Sequence, residues 1–243
     1  MRETSTALSS HLSKQKAATV SRFMSTVYLW MMLGLAISGG VAYYVSSHAS
    51  IVSLITKTPG LFVGLLILQV AAVLVFSFLN RKLNPGLAAL LYLVYTVLVG
   101  VTFSVILLAY TKQSIYNAFA VTAGAFFALS AFGYVTKRDL GPLATFLMMG
   151  LFGLMILMLL SFFISGLRSS TAQMVISAVG VIVFSGLTAY DTQKIKTLYL
   201  QSMDADAATI KKFAINGALN LYLDFINLFL MLLRLFGLFS DRR

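Results

Sequence analysis

Apolar residues occupy long unbroken runs in this chain, and polar and charged residues gather in the short gaps between them. Seven runs, at 23–45, 61–80, 87–110, 117–135, 143–165, 172–191 and 213–239, are each near or above the ~20 residues that an α-helix needs to cross ~30 Å of hydrocarbon. Breakers punctuate them: Thr58-Pro59-Gly60, Asn84-Pro85-Gly86, and Gly141-Pro142 after Lys137-Arg138-Asp139. The pattern predicts an all-α polytopic membrane protein with a membrane domain at 23–239. A basic, Ser/Thr-rich tail at 1–22, flexible or lying at the interface, precedes it, and a short tail at 240–243 follows.

The last run departs from the others. In INGALNLYLDFINLFLMLLRLFGLF, wound at 100° per residue, Asn216, Asn220, Asp224, Asn227 and Arg234 fall within an arc of roughly 80°. Leucines and phenylalanines fill most of the remainder. A charge at mid-bilayer costs roughly 2.5–3.5 kcal/mol on insertion scales, so such residues face a bundle interior or a wet cavity. The helix is therefore expected to be an inner post of the bundle. The same seam leaves open a re-entrant segment with both chain ends on one side.

Composition agrees with the pattern: 59% of residues are hydrophobic and 10% charged, and the mean hydropathy is +0.92, outside the range of soluble domains. No cleavable signal peptide is evident, because the first apolar run is too long for a signal core. With no cysteines, disulfide and thiolate chemistry are excluded. The net charge of +11 does not point to nucleic acid, because Lys and Arg cluster between spans. Arg2, Lys14, Lys16, Arg22, Arg81, Lys82, Lys137, Arg138, Lys194, Lys196, Lys211 and Lys212 fall on one side; Lys57, Lys112, Arg168, Arg242 and Arg243 fall on the other. The positive-inside rule then places the N-terminus in the cytoplasm and the C-terminus outside. Small residues, among them Gly34, Gly39, Gly40, Gly60, Gly64, Gly150, Gly153, Gly180 and Gly186, are read as helix-packing positions.

Of seven acidic residues, Glu3, Asp139, Asp204, Asp206 and Asp241 lie in tails or loops, whereas Asp191 and Asp224 do not. Asp191 closes the sixth run in FSGLTAYDTQKIK. Asp224 lies twelve residues past Lys212, or ~18 Å of helix, so the two depths differ unless tilt closes the gap. Two carboxylates meeting in a dry site cannot both ionise cheaply, and they titrate as one unit. Such a pair senses pH and offers hard oxygen ligands to a cation such as calcium, with Asn216, Asn220 and Asn227 and water in support. Arg81, at the end of the second run, is placed to bridge either acid as a latch.

These residues carry a family resemblance. FSGLTAYDTQKIK at 184–196 and GALNLYLDFINLFLMLLRLFG at 217–237, with the basic pair after the second run, resemble the Bax inhibitor-1 family, also called the transmembrane BAX inhibitor motif family, in its bacterial branch. The resemblance covers about residues 20–239. It implies a seven-helix bundle with the last helix at its centre, in a bacterial inner membrane, acting as a pH-sensitive calcium leak. Asp191 and Asp224 would form the pH-sensing pair and Arg81 the latch. A Glu that some relatives carry in the second helix corresponds to Gln69 here. The resemblance also links the chain to suppression of cell death and to modulation of a membrane-bound protease.

Other classes fit less well. An intramembrane aspartyl protease shares Tyr190-Asp191, but has Gly-x-Gly-Asp where this chain has Leu221-Tyr222-Leu223-Asp224. A non-transporting regulator of other membrane proteins leaves the buried acids without a task, and a proton-coupled transporter of another substrate stays open. Zinc hydrolysis is not expected, since His11 and His48 are isolated. The expectation is a non-enzymatic protein without cofactor, whose partners are the bilayer, a cation and other membrane proteins.

Overall fold

The structure is a computed structural model, described over residues 2–79, 83–161 and 163–240, with the side chains of 2–14, 59, 79, 239 and 240 excepted. Among the described residues it holds helices and no strand: α1 (Arg2–Ser46), α2 (Ala49–Lys57), α3 (Pro59–Leu79), α4 (Pro85–Leu108), α5 (Lys112–Val135), α6 (Gly141–Leu160), a 3-10 turn (Ser165–Arg168), α7 (Ser170–Gln201) and α8 (Ala207–Ser240). All but α2 and the 3-10 turn are long and apolar enough to cross a membrane, which gives the seven spans that the hydropathy pattern predicts. The polar gaps between spans become helix starts. Asn84 accepts the Leu87 N–H at 2.7 Å ahead of Pro85; Thr111 accepts from Ser114 at 3.1 Å and Ser169 from Ala172 at 3.3 Å. Each satisfies an N–H that the first helical turn leaves open.

Two boundaries differ from the sequence expectation. The composition break at residue 22 is not a backbone break, because α1 is continuous from Arg2. The sixth span does not stop at Asp191: α7 runs on to Gln201, which places Asp191 inside the helix. The last segment is one unbroken helix of 34 residues, ~51 Å long at 1.5 Å per residue. A helix of that length is long enough and apolar enough to cross the bilayer in one pass.

α8 is the post around which the bundle is built. It packs against α1, α4, α5 and α7, and half of its most apolar window is buried, against 6% for α3, which packs chiefly along α4. Ala218, Leu221, Tyr222, Leu228 and Leu233 of α8 are fully enclosed. Phe225 meets Phe119 and Phe126 of α5 edge-on at 5.9 and 5.5 Å, and Tyr222 meets Tyr92 and Tyr95 of α4 at 6.1 Å. Buried hydroxyls tie the layers: Ser38 of α1 donates to the Thr96 carbonyl at 2.7 Å and lies 2.6 Å from the Tyr222 hydroxyl.

The tightest backbone crossings fall on glycines that the sequence did not single out. A Cβ on Gly133 would overlap the backbone of Ala189, and one on Gly100 the carbonyl oxygen of Ser38. Of the glycines expected to pack, Gly34, Gly150, Gly180 and Gly186 do so, against Tyr92, Val183, Met231 and Leu147. Among the described residues, Gly39, Gly40, Gly60, Gly64 and Gly153 have nothing within 4 Å of a would-be Cβ. Gly133→Ala is therefore expected to cost about 1–3 kcal/mol of stability, read as a lower thermal midpoint in detergent. Gly153→Ala, which adds a methyl to open space in the interior of α6, should keep or raise the midpoint.

At the start of α8 the exposed Asp206 carboxylate is held below its usual range, first by the Thr209 side chain and then by the Thr209 and Ala208 N–H groups. A carboxylate depressed in the folded state adds stability above its unfolded value, and that stability is lost as pH falls through the folded one. Asp206→Asn should thus lower the thermal midpoint at pH 7, with the difference closing as pH falls through the carboxylate's folded-state value.

Candidate functional site

Asp191, Thr192 and Gln193 are consecutive on α7, so their side chains leave the helix about 100° apart, and each is put to a different use. Thr192 lies 2.9 Å from the Ser130 hydroxyl of α5, which in turn lies 2.5 Å from the Tyr28 hydroxyl of α1. Gln193 accepts the Leu140 N–H at 3.0 Å and donates to the Arg138 carbonyl at 2.8 Å, fastening the α5–α6 connection to α7. Lys196 donates to the Tyr134 carbonyl at 2.7 Å and sits 4.9 Å from its ring. Fixed on these sides, α7 turns Asp191 toward α8.

There it meets Asp224. The two carboxyl groups lie within hydrogen-bonding reach of each other, so α7 and α8 bring together the two acids whose depths seemed mismatched along the sequence. Asp191 is half-buried and Asp224 is 6% exposed. The Asp224 Oδ2 atom is enclosed and receives no hydrogen bond from the described residues. Two ionised carboxylates have no proton to place between them, and a buried acceptor without a donor costs about 1–3 kcal/mol. A single proton on the pair, or a cation beside it, removes that cost.

The pair opens onto a cavity of about 980 Å³ bounded by α3, α4, α6, α7 and α8, whose polar lining includes Gln69, Tyr95, Lys194, Asn220 and Asn227. An adjoining recess of about 250 Å³ shares Lys194 and Asn220 with it and contains Asn216. The polar seam of α8 is thus divided. Asn220, Asp224 and Asn227 face the main cavity; Asn216 faces the smaller recess; Arg234 lies apart, donating to Gln173 at 2.9 Å. Asn227 donates to the Leu223 carbonyl at 2.8 Å, which leaves its own oxygen as the end able to meet a cation. Among the described residues no cluster of three or more His, Asp or Glu occurs. Any cation here would be held by two carboxylates, the Asn220 and Asn227 oxygens and water, a set suited to hard ions such as calcium.

Arg81 lies outside the described residues. Two lining residues gain a meaning the sequence did not give them. Lys194, counted from sequence only among the basic residues of one membrane side, acts electrostatically on Asp191 three residues away and stands 5.5 Å from the Tyr190 ring; its i,i+3 spacing was the available signal. Gln69 donates to the Leu98 carbonyl at 3.3 Å and to the Thr102 hydroxyl, so it tethers α3 to α4 at the cavity wall.

Replacing Asp224 by Asn supplies the hydrogen that the buried Oδ2 position lacks. Asp224→Asn is therefore expected to keep or raise the thermal midpoint at pH 8, whereas Asp224→Leu, which strands Asp191 against an apolar side chain, should lower it. Differential scanning fluorimetry of the purified variants checks both.

Comparison with known proteins follows the same residues. The family model described as inhibitor of apoptosis-promoting Bax1 matches residues 20–241. The chain is 44% identical over 223 residues to the inner membrane protein YbhL of Escherichia coli K12, covering 92% of this chain and 94% of that protein. It is 40% identical to an uncharacterized protein of Deinococcus radiodurans, covering 89% and 90% of the two chains. An uncharacterized membrane protein of Streptococcus pyogenes serotype M1 is 35% identical, with 92% and 95% covered. A multi-pass bundle, both long motifs and a match across nearly the whole membrane region agree: the chain belongs to the Bax inhibitor-1 family.

Proposed function

We propose that the protein is a pH-sensitive leak for calcium or a similar cation, seated in the bacterial inner membrane with its N-terminus in the cytoplasm. The observation that carries this reading is the meeting of Asp191 and Asp224 at the wall of a large cleft bounded by α3, α4, α6, α7 and α8 of a membrane bundle. Buried acids are costly in such a place and mark ion or proton pathways more often than scaffolding. The chain is read as carrying ions and performing no bond chemistry.

The proposed cycle follows from charge. With a proton between them the two acids satisfy each other, and the site carries at most one negative charge. Removal of the proton leaves two charges in a low-dielectric setting, where attraction for a divalent cation is strong. Lys194, between the pair and the smaller recess, competes with the arriving ion. Arg81, at the end of the second span, is the proposed latch by family resemblance; its bridge to either acid would be released by protonation of that acid or by a cation. Modulation of another membrane protein, such as a protease, is the remaining alternative, and the relative's name, inner membrane protein, fits both.

Reconstitution into calcium-loaded liposomes tests the reading. Efflux above that of empty vesicles, with a pH dependence that Asp191→Asn and Asp224→Asn each abolish, is the expected result. Efflux equal to empty vesicles, or variants with unaltered pH dependence, would reject the leak in favour of a regulator. Lys194→Gln should raise cation occupancy of the site and shift the pH profile without abolishing it.

A further inference from the structure

A second polar pocket lies at the opposite end of α8 and takes no part in the acid pair. It holds about 340 Å³ and is lined by Tyr110, Thr111, Ser114, Gln173, Arg234 and neighbouring backbone. Arg234 stands twenty-two residues past Lys212, ~33 Å along the helix, about the thickness of the hydrocarbon layer. It therefore reaches the headgroup level of the membrane face opposite Lys211 and Lys212.

We propose that this pocket binds a phosphate group through the Arg234 guanidinium. Four observations converge on it. Arg234 is half-buried as a residue, and its guanidinium spends Nη1 on a neutral acceptor, Gln173 Oε1 at 2.9 Å. Gln173 is itself held by donating to the Leu167 carbonyl at 2.7 Å, so it is committed to orienting Arg234, whose planar fork has five donors in all. The wall opposite supplies hydroxyls: Thr111 donates to Ser114 Oγ at 2.9 Å, which leaves the Ser114 hydroxyl to donate into the pocket. Gly237 makes room for the Tyr110 ring against α8, one turn past Arg234, closing the pocket on that side.

The charge of this end points the same way. Lys112 opens α5 and Arg168 closes the 3-10 turn before α7, and two long helices, α5 and α7, begin here with their positive ends. Of the seven acids in the chain, only Asp241 belongs to this end by sequence, and it lies outside the described residues. A phosphate at headgroup depth has two sources, a phospholipid or free inorganic phosphate, and the same donors serve both.

Native mass spectrometry of the full-length protein in detergent with added phosphatidylglycerol, paired with thermal melts in sodium phosphate, separates the sources. Arg234→Gln keeps a side chain able to bond Gln173 while removing the charge, and Arg234→Lys keeps the charge without the fork. A lipid site is shown if the parent retains phosphatidylglycerol that Arg234→Gln binds at least about tenfold more weakly, with Arg234→Lys between. A free-phosphate site is shown if phosphate raises the midpoint of the parent and not of Arg234→Gln while lipid retention is equal. The proposal is overturned if parent and Arg234→Gln respond alike to both probes. It is overturned equally if neither probe acts on the parent and Asp241→Asn lowers the midpoint as much as Arg234→Gln, since Asp241 is then the partner of the guanidinium. None of these outcomes depends on whether the protein leaks calcium.

Discussion

A carboxylate within the thickness of a bilayer must be given something other than lipid to face, and the architecture follows from that constraint applied to Asp224. The side chain is 6% exposed on a helix that is otherwise leucine and phenylalanine. The helix that bears it must therefore be surrounded, and α8 is, by α1, α4, α5 and α7. Its aromatic residues lock onto α4 and α5 on the faces away from the seam. The seam itself is left to the cavity, where Asn220 and Asn227 flank the acid one turn to either side.

The neighbouring helix is shaped by the same demand. An acid on α8 with no donor for one oxygen needs a partner at its own depth, and α7 provides Asp191 because it continues well past that residue to Gln201. Two of the residues that follow Asp191 hold α7 in place beside its neighbours. Thr192 fixes α7 to α5, and Gln193 fixes it to the α5–α6 connection. This gives Gln193 a physical role: it positions the acid two residues before it. Gly133 contributes in the same way, since only a bare Cα lets α5 approach the backbone of α7 at Ala189.

Much of this was legible in the sequence because hydropathy and helical periodicity are local. Seven apolar runs gave seven spans, and the 100° arc of polar residues on the last run marked α8 as the interior helix. What was not legible depended on the third dimension. The end of α7 was misplaced because Lys194 and Lys196 look like an interface; Lys196 instead bonds the Tyr134 carbonyl and Lys194 turns to the cavity, so the helix passes beyond both. Asn216 and Arg234 share the arc of Asp224 in projection, yet they are separated from it along the axis and open into different pockets. Periodicity reports the face of a helix and says nothing of the height. The packing glycines were missed for a related reason: Gly100 and Gly133 stand alone in sequence, while pairs such as Gly39 and Gly40 stand where no neighbour comes close.

The central claim is that Asp191 and Asp224 act as one proton-binding unit in the interior of the bundle. The carboxylic-acid carbonyl stretch in infrared difference spectra of the membrane-reconstituted protein, followed through a pH titration, tests it most directly. One band that titrates in the parent and is lost or displaced in both Asp191→Asn and Asp224→Asn is the predicted result. Two bands that titrate independently, each removed by its own substitution and indifferent to the other, would contradict it.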